Sequence, residues 1–235
     1  MNISFNFLNV LFRSSSCVFC NSFVRDSLIC NVCKEKIYFV YEPFCIKCQN
    51  PSFEGSTHYR CSTKYSPKNL ITPFVYSGIV RDCVIRAKYK KQFSLVEDLI
   101  DYLLVFKEQF NLNSLNDFTV TSIPSDKKRF AERGFNLPTI IGQRLAQKLN
   151  LPFLEILVKQ KQTPSLTQLK KDERKRVVKG CFAVKNKNVP KNILLVDDIL
   201  TTGSTMLEAA KMLKKGGAFE ITCFTLAYRP LKYIE

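Results

Sequence analysis

Nine consecutive residues carry the densest chemistry in this chain: Asp197-Asp198-Ile199-Leu200-Thr201-Thr202-Gly203-Ser204-Thr205. Paired carboxylates accept hydrogen bonds from vicinal hydroxyls. A small, hydroxyl-rich turn that runs into a helix offers free backbone N–H groups at the positive end of the helix dipole, which suits a phosphate. Together these residues describe a pocket for a phosphorylated sugar, with Asp197 and Asp198 on the ribose and Thr201, Thr202, Gly203, Ser204 and Thr205 around the phosphate. A plain strand-to-helix corner capped by Asp198 and Thr201 needs one such residue, not six.

A second set lies near the other end. Seven of the ten cysteines precede residue 62, as Cys17-x2-Cys20, Cys30-x2-Cys33, Cys45-x2-Cys48 and a lone Cys61. An offset of 28 lays Cys17 on Cys45, Cys20 on Cys48, Cys30 on His58 and Cys33 on Cys61. The region is an internal repeat, and each copy reads ligand-x2-ligand-x9-ligand-x2-ligand, the spacing of tetrahedral zinc held by two knuckles. His58, the one histidine of the chain, fills the place of a missing fourth thiol and is a predicted ligand. Pairing within each copy gives Cys17, Cys20, Cys30 and Cys33 for one ion and Cys45, Cys48, His58 and Cys61 for the other; a cross-braced pairing satisfies the same count. Either way the protein supplies all four ligands, so the sites are structural.

The elements that must position these groups follow from periodicity. Ile193-Leu194-Leu195-Val196 reads as a strand buried on both faces, ending at the acids. Met206 to Lys215 is apolar at helical spacing and closed by Gly216-Gly217. Upstream, Pro73 to Tyr76 is strand-like. Helices are expected over Val80–Lys88, Leu95–Phe110 and Thr139–Leu149, and strands over Phe118–Ile123 and Thr222–Ala227. Leu151–Val158 is a short apolar stretch. The charged segment Ser125 to Asn136 reads as a turn at the C-terminal edge of the sheet, where ligands bind in open α/β folds. Cys83, Cys181 and Cys223 sit on apolar faces and read as core. The pattern changes at Ser66-Pro67, giving a metal-binding domain over 1–66 and an α/β domain over 67–235.

With 235 residues and an apolar fraction of 46%, the chain holds one full domain and a small one. No run of about eighteen apolar residues predicts a transmembrane helix. Met1 to Phe12 is apolar without a basic leader or cleavage site, and reads as an amphipathic segment packed on the body. The formal charge is +16. Residues 159–191 hold eleven Lys and Arg against two acids, a patch suited to phosphates on a nucleotide or along nucleic acid.

The acidic pair with its threonine-glycine loop matches the signature by which phosphoribosyltransferases hold phosphoribosyl pyrophosphate (PRPP). Adding the paired knuckles, Tyr76-Ser77-Gly78-Ile79-Val80-Arg81 with Lys88-Tyr89, and Arg129 through Arg133-Gly134-Phe135-Asn136, the chain resembles the ComF family over nearly its whole length. Two departures stand out: His58 where the family usually has cysteine, and Arg176-Val177-Val178-Lys179-Gly180 where members carry Arg-Asn before a Gly-x-Phe; Gln168, Leu169 and Arg174 fit. The resemblance implies an α/β fold of phosphoribosyltransferase type I-like architecture, a mainly parallel sheet with flanking helices, plus a small zinc-ribbon-like N-terminal domain. It also implies PRPP as ligand, Mg2+ arriving with it, and a cytoplasmic place, peripheral to the inner face of the membrane. There the protein handles incoming single-stranded DNA for the uptake machinery. Lys88, Arg129 and Arg133 are candidates for the pyrophosphate, and Lys170, Lys171, Arg174 and Lys175 for nucleic acid. Transfer to an acceptor, DNA handling and PRPP sensing remain three distinct readings.

Overall fold

The structure, a computed structural model, describes residues 16–161, 176–185 and 188–230. The basic candidates Lys170, Lys171, Arg174 and Lys175, and the amphipathic stretch 1–12, lie outside those residues.

The described strands are β1 (Asn69–Ile71), β2 (Phe74–Val75), β3 (Thr119–Ser122), β4 (Leu157–Lys159), β5 (Phe182–Val184), β6 (Asn192–Leu200) and β7 (Glu220–Tyr228). One sheet runs β1-β7-β6-β3, with β2 also beside β7, and all its pairings are parallel. β4 and β5 form a separate antiparallel pair. Helices among the described residues include α1 (Asn31–Lys34), α2 (Gly78–Lys90), α3 (Ser94–Leu104), α4 (Lys127–Arg133), α5 (Leu137–Leu149) and α6 (Ser204–Lys215).

Strand alternation divides the interior in two. Leu194 and Val196 of β6 point to a core shared with α2, α3 and α5. Ile193 and Leu195 point to the other core, closed by Met206, Ala209, Ala210 and Leu213 of α6 and by the β4–β5 pair. Those four α6 residues follow the i, i+3, i+4, i+7 stripe of a helix with one buried face. The two metal-binding halves take opposite sides. Cys17, Val24, Ile29, Cys30 and Cys33 join the first core, whereas Phe44 and Ile46 join the second. Between the halves, Phe39 enters an aromatic cluster with Phe74, Tyr102, Phe106 and Phe110, at ring distances of 5.2, 5.7, 4.9 and 6.0 Å.

Several expectations change. The strand expected to stop at the acids runs through them to Leu200, because its neighbour β7 continues alongside, pairing Asp197 with Thr225 and Leu200 with Tyr228. The charged turn contains α4. Asp126 caps it, its carboxylate accepting the Arg129 N–H at 2.9 Å, and Gly134 ends it in a left-handed conformation. The helix expected to reach Phe110 stops at Leu104, and Phe106 and Phe110 turn inward onto Phe39 instead. β1 escaped notice: it is three residues long and carries no alternation of its own.

Candidate functional site

Each metal half is built the same way. Cys17 and Cys45 receive the N–H of Asn21 and of Gln49 at 2.9 and 2.8 Å, and both of those residues are left-handed, with φ of 61° and 62°. The second half of each copy repeats too: Cys33 N–H bonds to the Cys30 carbonyl at 3.1 Å and Cys61 N–H to the His58 carbonyl at 2.8 Å. Cys17, Cys20, Cys30 and Cys33 converge, as do Cys45, Cys48, His58 and Cys61, with the ligand atoms of each set within 4.8 Å of one another. The pairing is therefore within copies. Tetrahedral Zn–S bonds of about 2.3 Å require sulfurs roughly 3.8 Å apart, and Cys20 and Cys30 sulfurs stand at 3.4 Å.

The donor chemistry fits zinc as well. Burial, and then the neighbouring thiols, push Cys33 up to about 12 and Cys61 up to about 11. Four sulfurs cannot all ionise so close together without a cation among them. His58 Nδ1 lies 3.3 Å from the Cys48 sulfur, while Nε2 lies 3.0 Å from the Pro51 carbonyl. The Nε2–H donates to that carbonyl and leaves Nδ1 as the metal-facing atom, the usual second bond of a ligating histidine. Both sets fit structural zinc.

At the other site, β6 carries the acids at the C-terminal edge of the sheet. Alternation sends Asp198 to the α2 side, where Lys88 meets it with Nζ 2.5 Å from Oδ2. Asp197 belongs to the opposite side, and its Oδ1 accepts the Asp198 N–H at 2.9 Å. Burial, and then the charge of Asp198, push Asp197 up to about 7. Of the three cations expected at the pyrophosphate, Lys88 is thus joined to the acids. Arg129 and Arg133 ride on α4. Arg129 Nε lies 3.5 Å from Asp126, and the Arg133 guanidinium covers the Tyr89 ring at 5.7 Å.

The loop Thr201 to Gly203 opens α6. Thr202 is buried, and its hydroxyl is within 3.0 Å of the Ser204 hydroxyl and 3.4 Å of the Ser204 N–H. Gly203 is the residue at the helix cap, with no side chain capping it; Thr202 bonds locally to Ser204, while Thr201, Ser204 and Thr205 remain partly exposed. Gly203 is left-handed, with φ 73°. A Cβ there would stand 2.9 Å from the Ile46 carbonyl oxygen and 3.1 Å from Ile46 Cγ1. Only glycine fits against the second metal turn.

Past the end of β3, between α4, the start of α5 and the β4–β5 pair, lies a cavity of about 580 Å³, a size suited to a small organic ligand. Ser122, opposite Val196 in the β3–β6 pairing, lies on its floor, and neither Asp197 nor Asp198 lines it. Its walls include Pro124, Phe130, Phe135, Asn136, Lys127 and Lys159. Lys159 and Asp126 form a buried pair at 3.4 Å. Burial opposes the charge on both groups, yet the Arg129 N–H and the two cations hold the Asp126 carboxyl below its usual range; burial lowers Lys159. The Asp126–Lys159 pairing, and Gln49 with Tyr228, which bond to each other beside the Thr201 carbonyl, were not expected. Asp126 had a readable signal, a capping carboxylate three residues before Arg129. The other three had none, because their partners are far away in sequence.

Residues 139–235 match the family model of the phosphoribosyl transferase domain, and residues 7–62 match that of the double zinc ribbon domain. Competence protein F of Haemophilus influenzae is 28% identical over 232 residues, covering 94% of this chain and 98% of that protein. Competence protein ComFC of Streptococcus pneumoniae is 26% identical over 205 residues, 86% of this chain and 88% of the relative. DNA utilization protein YhgH of Escherichia coli K12 is 25% identical over 203 residues, 84% and 89%. A parallel sheet with flanking helices and two four-ligand zinc sets accompany these two matched domains, and over most of its length the chain is similar to competence proteins F and ComFC.

Proposed function

We propose that this protein binds PRPP at the end of β6 and supports DNA uptake, handling incoming single-stranded DNA on the cytoplasmic side of the membrane. The observation that carries the reading is the acidic pair held rigidly by the sheet directly before the N-terminus of α6. Strand pairing fixes the backbone of Asp197 and Asp198, and the helix start supplies N–H donors and a favourable dipole for the 5′-phosphate. The carboxylates take the ribose hydroxyls; Thr201, Ser204 and Thr205 complete the phosphate shell, and Thr202 and Gly203 shape it. Lys88, Arg129 and Arg133 balance the pyrophosphate, which arrives with Mg2+. The working division is 1–66 for metal and 67–235 for the phosphoribosyl pocket. The relatives named for competence and DNA utilization support the role in uptake, as does the basic character of 159–191. No described helix is long and apolar enough to cross a membrane.

The cavity favours a second reading, in which the bound phosphoribosyl group is transferred. Reaction at the sugar C1 needs placement and charge stabilisation more than proton transfer. The cavity has aromatic and cationic walls, Lys159 among them, which suits a flat, polar acceptor, and the charge of Lys159 also acts on Asp197. The test of the main reading is Asp197→Ala with Asp198→Ala. PRPP binding followed by calorimetry is expected to vanish with both zinc ions retained, and transformation frequency is expected to fall with the protein stable in the cell. Undiminished PRPP binding in the double variant would remove the pocket assignment.

A further inference from the structure

Gln49 stands at the tip of the second metal turn. Its left-handed backbone closes the turn, and its side chain reaches 152 residues along the chain. Nε2 donates to the Thr201 carbonyl at 2.5 Å, and Oε1 accepts from the Tyr228 hydroxyl at 3.3 Å. Burial pushes the Tyr228 phenol up, so it stays a donor. The Thr201 carbonyl, an acceptor only, fixes the sense of the amide, with nitrogen facing it and oxygen left for the phenol. The Tyr228 ring packs on Phe44 at 4.5 Å, and Tyr228 itself is paired with Leu200 across β6 and β7. The metal turn, the end of β7 and the phosphate loop meet at this one amide.

The direction of that bond matters. In a trans peptide the C=O and the following N–H point opposite ways. Holding the Thr201 carbonyl toward Gln49 therefore turns the Thr202 N–H away from the metal turn. One residue further on, Gly203 lies against the Ile46 carbonyl, and Ile46 is fully buried in the core that also holds Met206 and Ala209. The second metal turn thus meets the loop twice, once by a directed bond and once by a surface that leaves no room for a side chain.

We infer that Gln49 is a positioning residue, through which the zinc site of Cys45, Cys48, His58 and Cys61 sets the donor direction of the phosphate loop. The inference rests on reading 201–205 as a phosphate loop. It makes zinc occupancy and ligand affinity reciprocal: whatever the ion adds to ligand affinity, the ligand adds to retention of the ion.

The internal repeat supplies the control. Asn21 occupies the place of Gln49 in the first half, with the same backbone conformation and the same N–H bond, and it is exposed. Both substitutions place alanine on a left-handed residue, and the strain added is no smaller at Asn21, since Asn is the residue better suited to that conformation. With full-length, zinc-loaded protein, Gln49→Ala is expected to speed amide hydrogen exchange over 201–205 by roughly 2- to 12-fold, the range of one net hydrogen bond. It should weaken PRPP binding by a similar factor while two zinc ions per chain remain. Asn21→Ala should change neither the loop nor the affinity. In the wild type, PRPP should slow release of the second zinc to a chelator. Unchanged loop exchange in Gln49→Ala, or equal changes in both variants, would overturn the inference. If the wild type fails to bind PRPP while loop exchange responds to Gln49→Ala alone, the proposed ligand falls and the positioning role stands.

Discussion

Asn21 and Gln49 sit at corresponding points of two metal turns that share ligand spacing, backbone conformation and hydrogen bonds, and the two turns are used differently. The first turn lies on the α2–α3 face, and its half is tied down by Asp98 of α3, whose carboxylate accepts the Leu28 N–H and, at 2.9 Å, the Ser27 hydroxyl. The second lies on the opposite face against the loop that opens α6. The ligands repeat because zinc geometry permits little else. Side chains between the ligands are free to differ, and they decide what each half holds in place: Val18 against Ile46, Asn21 against Gln49. The repeat supplies two like anchors, and the residues between the ligands give one of them the loop that opens α6.

The largest expected effect breaks the comparison at the metal. Cys17→Ser and Cys45→Ser should each lose one zinc per chain and each lower the thermal midpoint, since structural zinc contributes on the order of 10 kcal/mol to small metal-dependent folds. Only Cys45→Ser should also weaken PRPP binding by more than about tenfold, the combined loss of the Gln49 bond and the Ile46 surface. Metal content, unfolding and calorimetry on both proteins check this. Equal loss of affinity in the two variants would mean that the halves are interchangeable.

A middle-sized effect isolates the first half. Asp98→Ala leaves the Leu28 N–H without its acceptor and should destabilise the fold by about 1–3 kcal/mol in urea unfolding, with PRPP affinity unchanged. A drop in affinity would extend the loop's support to the far face of the sheet.

The smallest effect concerns pH. Asp197, raised to about 7, favours its neutral form in the folded protein. Its contribution to stability is full at pH values below the unfolded carboxyl range and is lost as pH rises through about 7. Ligand binding runs the other way, because ribose hydroxyls need the ionised acceptor. PRPP affinity should therefore rise between about pH 6 and 8, and Asp197→Asn should flatten the part of that rise not due to the ligand's own phosphates. Variants of the first metal half should leave the profile unchanged, and a shift in one of them would couple both halves to the acids.

Local chemistry was legible in the amino-acid order, and contact between distant segments was not. The offset of 28 makes His58 a ligand before any coordinates, since four donors per zinc is a counting rule. The acids and hydroxyls could be grouped as one proposed site because they lie within nine residues. α4 was hidden by its charge, though its capping Asp126 and terminal Gly134 are ordinary boundary signals. The reach of β6 past the acids depends on β7 running equally far, which β6 alone does not reveal. Gln49 is the clearest case: a single amide on a turn has no periodicity, and its partners, Thr201 and Tyr228, are more than 150 residues away.

The Lys88–Asp198 pair gives the resting pocket a competitor of its own. On the proposed reading a ribose hydroxyl takes the place that Lys88 holds at Asp198 Oδ2 only after the ammonium has left. A group on a short tether competes at an effective concentration on the order of millimolar, however dilute the protein. Ligand entry is then an exchange and not the filling of an open cleft. Its rate levels off, at high ligand, at the frequency with which Lys88 swings aside, and the displaced ammonium remains close enough to accompany the incoming pyrophosphate.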